Sequence, residues 1–230
     1  MLSDLKKQVY KANLDLYNEG LIVLTFGNVS GIDRDRGIFV IKPSGVPYSM
    51  LKPADMVAVD LEGRILETRL KPSSDMPTHL ELYRAFRGIG GIVHTHSAYA
   101  TSFAQALKPV PCFGTTHADS FHGAVPLTRK MTAGEIKTDY EANTGKVIAE
   151  RFAKLDPMSY PGVLVACHGP FTWAKNAADA VVNSIALEHI AKMAAMTSLI
   201  NPSAGPIPKA LLDKHFLRKH GPKAYYGQKA

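Results

Sequence analysis

Apolar residues recur at three- and four-residue intervals through the first part of the chain. This is the helical period, and Gly20 is placed to end the helix that it predicts. A longer helical pattern begins after Asn176, a residue type common at helix N-caps, and continues toward Ile200. The residues that set the first pattern are Leu5, Val9, Ala12 and Leu16.

Between these helices lie short apolar runs with the length and β-branched content of strands. Helical patterns separate some of the runs, while others follow one another through turns. This mixed order favours one α/β domain of two or three layers over an all-parallel sheet. The predicted strands are IVLTF (22–26), GIFVIK (37–42), MVAVDL (56–61), GGIVHTH (90–96) and GVLVACHG (162–169), with DLEGRILE (60–67) turning into another; the predicted helices include 78–86, 97–107 and 144–155.

The composition is that of an ordinary globular protein. The chain has 230 residues, of which 46% are hydrophobic and 20% charged, enough for a sizeable core in a single domain. No apolar run has the length of a membrane span, and the amphipathic N-terminus lacks the apolar stretch of a signal peptide. Cys112 and Cys167 form no CxxC pair. A cytoplasmic protein with reduced thiols is therefore expected.

The net charge of +7 is concentrated at the C-terminus. After the linker NPSAGPIP, Pro208 is placed to begin a basic helix that Gly221 can end. From residue 209 onward the sequence has six Lys or Arg residues, and Asp213 is the single acidic residue. Such a tail suits a phosphorylated small molecule, an acidic partner or nucleic acid, and it is also typical of a solvated basic helix.

Three histidines fall at the ends of predicted strands. His94 and His96 are two residues apart, so their side chains leave a strand on the same face. His168 ends a second apolar run, whereas Cys167 is expected to face the other way, as a small buried hydrophobe. Neutral imidazole is the commonest zinc ligand, and three of them leave a coordination position open for catalysis. Asp75 is a candidate neighbour, as a ligand, a base or a helix cap.

Three loops combine small residues with hydroxyls or lysine, as phosphate sites do. Turn formation alone also explains each of them. The absence of GxGxxG and Walker sequences argues against dinucleotide and ATP chemistry. The loops are TFGNVSG (25–31) with Gly27 and Asn28, KPSG (42–45) with Lys42, Ser44 and Gly45, and KPSSD (71–75) with Ser73 and Ser74.

Two further candidates for proton transfer lie outside these loops. Asp119 ends the string GTTHAD, where a carboxylate is suited to general acid or base work. Tyr226 follows Tyr225 in the basic tail, and a tyrosine near a cation or metal can transfer protons. On the pattern alone, a loop carboxylate and a packing tyrosine explain them equally well.

Taken together, these segments resemble the L-ribulose-5-phosphate 4-epimerase family, which is related to the class II sugar-phosphate aldolases. The resemblance extends nearly from end to end and is carried by an ordered set of motifs. They are GNVSGIDRDRGIFVIKPSG, KPSSDMPTH, GGIVHTHS, GTTHAD, PGVLVACHGPF and LLDKHFLRKHG followed by KAYYGQ.

The resemblance implies a fold, a metal and a set of residue roles. The fold is a single domain over residues 1–230, with a mostly antiparallel central sheet flanked by helices in three layers. Residues 202–230 are then a linker, a basic helix and a tail that reaches a neighbouring subunit of a homotetramer. The implied metal site is zinc held by Asp75, His94, His96 and His168, with manganese or cobalt as substitutes. The implied substrate-binding residues are Gly27, Asn28, Lys42, Ser44, Gly45, Ser73, Ser74 and His215, and the implied proton-transfer residues are Asp119 and Tyr226.

The implied reaction interconverts L-ribulose 5-phosphate and D-xylulose 5-phosphate. The hydrogen on C4 has little acidity because the carbonyl is at C2, so direct deprotonation is unfavourable. Breaking the C3–C4 bond instead leaves an enediolate that zinc can stabilise. Rotation of glycolaldehyde phosphate and re-formation of the bond then invert C4. The same resemblance leaves open whether the pathway is arabinose, ascorbate or other breakdown.

Three other functions are compatible with parts of the sequence. An aldolase cleaving a ketose 1-phosphate would share the metal and the loops, but the resembling aldolases carry Glu where this chain has Asp75. A nucleic-acid-binding module would use the basic tail and leave the histidines unexplained. A non-enzymatic scaffold would hold a closed structural zinc site. The epimerase is predicted, with no nucleic-acid or membrane partner.

Overall fold

A six-stranded antiparallel sheet forms the centre of the protein. The computed structural model describes residues 2–67 and 70–226. The strands in this part of the chain lie in the order β3-β2-β1-β4-β6-β5. Their bounds are β1 Asn28–Asp33, β2 Ile38–Ile41, β3 Val57–Asp60, β4 Gly91–His94, β5 Gly162–Leu164 and β6 Pro170–Ala174.

Helices cover both faces of this sheet. On one side, α1 and α7 pack against a core that includes Val40, Ala58 and Val93; on the other, α2 and α6 cover Phe39 and Trp173. The predicted three-layer α/β domain is confirmed. The helices are α1 Leu2–Asn18, α2 Met76–Ala85, α3 Ala98–Gln105, α4 Thr115–Ala118, α5 Ala133–Lys137, α6 Tyr140–Arg151, α7 Ala177–Ile200 and α8 Lys209–His220.

The two-residue period of the strands divides their side chains between the layers. In β2, Val40 belongs to the α1 side, whereas Phe39 and Ile41 belong to the α2 side. In β4, Ile92 and Val93 divide in the same way. A shift of the register by one residue would exchange these faces, so burial on both sides fixes the pairing.

Several local predictions are confirmed by the helix ends. Asn176 caps α7, because its side chain accepts a hydrogen bond from the Asp179 N–H at 2.8 Å. Thr132 and Glu135 form the predicted capping box of α5. Helix α8 begins after Pro208 and ends at Gly221. No described helix is long and apolar enough to cross a membrane.

Other predictions made from apolar runs were wrong. IVLTF forms an exposed turn, since Leu24 has a left-handed φ of 57° and the Phe26 N–H bonds the Val23 carbonyl. The strand that was expected to end in His168 stops at Leu164. His168 lies on the turn before β6, and Cys167 beside it is exposed with φ 63°. A left-handed residue breaks the alternation that predicted a buried cysteine.

The antiparallel arrangement brings three distant segments to one end of the sheet. His94, the last residue of β4, pairs with Asn28, the first residue of β1. On its other side His94 pairs with Phe171 near the start of β6. The C-terminal end of one strand therefore meets the N-terminal ends of both neighbours, and the turn carrying His168 closes over the same end.

Candidate metal centre and active site

His94, His96 and His168 converge at this end of the sheet. One ring nitrogen from each lies within 4.8 Å of those of the other two. The Nε2 atoms of His94 and His96 are 3.1 Å apart. The predicted metal histidines are thus brought together by β4 and by the turn before β6.

The second nitrogen of His94 is already engaged. Its Nδ1 lies 3.0 Å from the carbonyl oxygen of Pro170, which can only accept a hydrogen bond. Nδ1 therefore carries the proton and Nε2 has a free lone pair. Phe171 stacks on the same ring at 4.1 Å between centroids and 15° between planes, which fixes its orientation.

This donor set fits a divalent metal ion. With His94 protonated at Nδ1, the 3.1 Å contact between the two Nε2 atoms is either a hydrogen bond donated by His96 or a pair of lone pairs with a cation between them. Two ligands at about 2.0–2.1 Å from one tetrahedral zinc ion would be separated by only slightly more, about 3.3 Å. The three histidines could therefore bind a metal ion in the arrangement that they already have.

The environment favours the neutral form of His96 and His168. Burial, followed by the neighbouring His94 and His96, lowers the pKa of His168 to about 4. Burial and His94 also lower the pKa of His96. Neutral imidazole is the form that binds metal, so the lowered pKa values of His96 and His168 favour metal binding.

Asp75 lies beside the histidines but makes a different contact. It occupies the N-cap position of α2, yet its side chain makes no capping hydrogen bond. Instead its Oδ2 accepts a hydrogen bond of 2.7 Å from the Asn28 amide. Burial raises the pKa of Asp75, but nearby His94 and His79 and the Asn28 bond outweigh it, and the net shift is downward. An ionised carboxylate thus faces the histidine group.

The two lysine-serine loops are joined by backbone hydrogen bonds. The Ser44 N–H donates to the Lys71 carbonyl at 3.0 Å, and the Ser73 N–H donates to the Lys42 carbonyl at 2.9 Å. Gly45 has a φ of 68°, which favours glycine at this turn. Segments almost thirty residues apart in the sequence therefore form one surface of small residues and hydroxyls.

Asn28 links this surface to the metal side. Its amide nitrogen donates to Ser73 Oγ at 3.0 Å as well as to Asp75. Its Oδ1 is buried and has no hydrogen-bond partner among the described residues. A buried acceptor without a partner is costly unless a ligand or water supplies the donor.

Lys42 is a buried cation on the same surface. Its ammonium lies 3.3 Å from the Pro43 carbonyl and 4.7 Å from the centre of the Tyr48 ring. Burial lowers the pKa of Lys42 to about 8. Tyr48 also donates a hydrogen bond to the Gly27 carbonyl at 3.0 Å, so one ring supports both Lys42 and the glycine loop.

These groups line one cavity of about 390 Å³. Tyr140 and Glu141, at the start of α6, also line it and were missed by sequence reasoning, because nothing in the helical pattern distinguishes them from surface residues. The predicted residues that line it are Gly27, Asn28, Lys42, Ser44, Gly45, Ser73, Ser74, Asp75, His94, His96 and His168.

Asp119 belongs to a second cluster, formed between α4 and α8. Its carboxylate accepts hydrogen bonds from Arg218 at 2.8 and 3.1 Å and lies 3.0 Å from the Nδ1 of His215. Burial raises the pKa of Asp119, but Arg218 and His215 outweigh it and lower the pKa overall. The guanidinium of Arg218 also lies 4.7 Å from the ring centre of Tyr226.

The two clusters are separate within one chain. Asp119, His215 and Tyr226 do not line the cavity that contains the histidines, as far as the described residues define it. They do lie together, since Arg218 contacts both Asp119 and Tyr226. Residues 227–230, the end of the predicted tail, lie outside the described residues.

The fold and the site agree with the comparisons to known proteins. The chain belongs to the class II aldolase and adducin N-terminal domain family, which it matches over residues 7–195. It is 52% identical over 228 residues to the L-ribulose-5-phosphate 4-epimerases UlaF of Salmonella paratyphi B and Salmonella typhi, covering 99% of this chain and 100% of each relative. The resemblance stated from the motifs, and with it the prediction of an enzyme, is confirmed.

Solved structures show the same architecture. An L-fuculose 1-phosphate aldolase is 26% identical with a TM-score of 0.78, over 92% of this chain and 94% of its own. The L-fuculose-1-phosphate aldolase of Thermus thermophilus is 25% identical with a TM-score of 0.68, over 89% of this chain and 100% of its own. The aldolase fold is therefore shared, although the sequence identity is half that to the epimerases.

Proposed function

We propose that the protein is a zinc-dependent epimerase that interconverts L-ribulose 5-phosphate and D-xylulose 5-phosphate. The observation that carries the proposal is one cavity lined by both a histidine triad and a lysine-serine surface. The names of the relatives at 52% identity support the choice of substrate.

The metal would be held by His94, His96 and His168, with Asp75 as the fourth ligand. When bound, zinc would act as a Lewis acid that stabilises the negative charge developing on the C2 and C3 oxygens. Asn28 holds the Asp75 carboxylate in place through the 2.7 Å bond, and its free Oδ1 can accept a hydrogen bond from a sugar hydroxyl.

The phosphate would bind on the surface formed by the two joined loops. The hydroxyls of Ser44, Ser73 and Ser74 can donate to phosphate oxygens, while Gly27 and Gly45 leave room for the backbone to approach. Lys42 supplies the positive charge. Its burial makes this charge effective, because little water screens it.

The pKa of Lys42 predicts how binding varies with pH. Since the pKa is lowered to about 8, the free enzyme carries the charge below pH 8 and loses it above. KM for the sugar phosphate is therefore expected to rise as the pH rises through 8. Lys42→Met should raise KM about ten- to a hundredfold at pH 7, the loss expected for one charged hydrogen bond.

Steady-state kinetics check this prediction. They are measured between about pH 6.5 and 9.5, a range that brackets the lowered pKa of Lys42. Lys71→Met is the matched control, because Lys71 is exposed and does not line the cavity. A Lys42→Met enzyme with an unchanged KM, or with the same rise above pH 8 as the wild type, would show that Lys42 does not bind the phosphate.

Asp119 and Tyr226 would carry the two proton transfers at the C4 oxygen. The lowered pKa leaves Asp119 ionised, so we assign it to accept the C4 hydroxyl proton as C3–C4 breaks. Tyr226 would donate its hydroxyl proton to the aldehyde oxygen as the bond re-forms on the other face. His215, 3.0 Å from Asp119, is placed to pass on the proton that Asp119 has gained.

These groups would come from a neighbouring copy of the chain. Within one chain they lie together on α4, α8 and the tail, and away from the histidine cavity. A ring of subunits would bring the Asp119 cluster of one chain to the metal cavity of the next, as heterologous interfaces in cyclic oligomers do. We propose a homotetramer with its active sites at such interfaces.

Mixed oligomers test this arrangement. His96→Asn removes a metal ligand and Asp119→Asn removes the base, so each homo-oligomer should be inactive. If each active site takes the metal from one chain and Asp119 from the next, subunits mixed in equal amounts should regain about a quarter of wild-type activity. The two variants are unfolded and refolded together, and the mass of the resulting oligomer is measured. If a mixed oligomer regains no activity, the metal ligands and Asp119 of each active site come from one chain.

The alternative is an aldolase that cleaves a ketose 1-phosphate, the activity named for the structural neighbour at 26% identity. Both functions use a triad of histidines and a phosphate surface. The enzyme with measured metal content should be incubated with L-ribulose 5-phosphate. Formation of D-xylulose 5-phosphate supports the epimerase, whereas accumulation of free dihydroxyacetone, or no reaction, contradicts it. A cytoplasmic location stays a prediction.

A further inference from the structure

The ring of His168 is held differently from that of His94. His94 donates its Nδ1 proton to a backbone carbonyl, which no side-chain substitution removes. The Nδ1 of His168 lies 3.2 Å from the hydroxyl oxygen of Tyr140, a residue that the proposed reaction does not otherwise use. The Tyr140 ring also stacks along the His168 ring, at 6.0 Å between centroids and 28° between planes.

The turn that carries His168 fixes its backbone but not its ring. The His168 N–H bonds the Val165 carbonyl at 3.0 Å, and the Cys167 N–H bonds the Ala104 carbonyl at 3.0 Å. Cys167 takes the left-handed conformation at φ 63°. With the backbone held by these hydrogen bonds, the imidazole of His168 can still rotate about its side-chain bonds. Tyr140 contacts this ring.

Tyr140 itself is firmly placed. It is the first residue of α6, and its carbonyl accepts a hydrogen bond from Thr144 at 2.9 Å. The Thr78 hydroxyl on α2 donates to the carbonyl of Glu141, the next residue, at 2.6 Å. A Cβ at Gly145 would lie 2.6 Å from the Glu81 Cβ, so the two helices touch at this point. Helix α2, which begins beside Asp75, thus also locates Tyr140.

We propose that Tyr140 is a positioning residue for the metal. Its hydroxyl oxygen accepts the Nδ1 proton of His168, which fixes the tautomer that presents Nε2 to the ion. Partners of this kind orient metal-binding histidines and raise their basicity. The inference rests on the proposed metal site, but not on the epimerase reaction.

Tyr140→Phe tests the proposal, because it removes the hydroxyl and keeps the stacked ring. Zinc affinity should fall about 10- to 100-fold, measured by competition with a chromophoric chelator. Tyr10→Phe is the matched control, since Tyr10 packs on α1 against the core and does not line the cavity; it should bind zinc as the wild type does. Thermal melting of the metal-free proteins verifies that both variants fold.

A second measurement does not depend on the variant. Nitrogen-15 correlation spectra of the zinc-bound wild type should show a protonated Nδ1 on His168. Zinc affinity within twofold of wild type in Tyr140→Phe, or a His168 that is protonated at Nε2, overturns the role of Tyr140. A wild type that binds no zinc overturns the metal site as well, whereas an absence of epimerase activity with zinc bound leaves the Tyr140 result intact.

Discussion

Asp119→Asn is expected to lower kcat by a factor of about 10²–10⁴ while zinc stays bound. The amide cannot take the C4 proton, but it keeps the shape and part of the hydrogen bonding of the carboxylate. Zinc should stay because Asp119 does not line the cavity that contains the three histidines. Turnover is followed by a coupled assay for D-xylulose 5-phosphate, and zinc by elemental analysis.

Asp213→Asn is the matched control for this variant. Asp213 lies on α8 and, like Asp119, is an acidic residue in contact with a histidine: it accepts a hydrogen bond from His122 at 2.8 Å and pairs with Lys209. It should leave kcat within a few-fold of wild type, because it contacts neither Arg218 nor Tyr226 in the described contacts. Near-normal turnover in Asp119→Asn would remove Asp119 from the reaction.

Removal of the chain from Tyr225 onward is expected to cost a similarly large factor in kcat, about 10²–10⁴, through loss of the second proton-transfer group. The fold should survive, since Tyr225 and Tyr226 are exposed and α8 is anchored by the buried Phe216 and by Asp119. Circular dichroism and thermal melting measure the fold, and the coupled assay measures turnover.

The two neighbouring tyrosines separate the role of Tyr226 from a general effect of the tail. Tyr226→Phe should reproduce most of the loss, because only its hydroxyl is removed. Tyr225→Phe should not, since that ring lies over Lys214 and its hydroxyl has no proposed part in the reaction. Equal activities for the two variants, or full activity after truncation, would show that Tyr226 is not the proton donor.

Much of the fold followed from local periodicity. The helical spacing of Val9, Ala12 and Leu16 predicted α1, and all three are buried in it. The short β-branched run in GIFVIK predicted β2, whose residues divide between two layers. IVLTF failed, because a strand also needs a neighbour, and here Leu24 turns the chain back toward itself. Pairing partners are not encoded within such a short segment.

The candidates for the reacting groups could be named from the sequence alone. Three histidines, three small-residue loops, Asp119 and Tyr226 could be named from residue types and motif order. What those residues can do follows from their functional groups: imidazole binds metal, and lysine with hydroxyls binds phosphate. Neither property depends on the path of the chain between them.

Only the tertiary structure decided that these residues form two separate groups, one in the histidine cavity and one around Asp119. Antiparallel pairing of β4 with β1 and β6 brings Asn28, His94 and the His168 turn to one cavity. Contacts across about a hundred residues hold Asp119 to Arg218 and keep both out of that cavity. Tyr140 meets His168 only because α6 packs against α2. Contacts between such distant segments depend on the whole packed core, which no local pattern specifies.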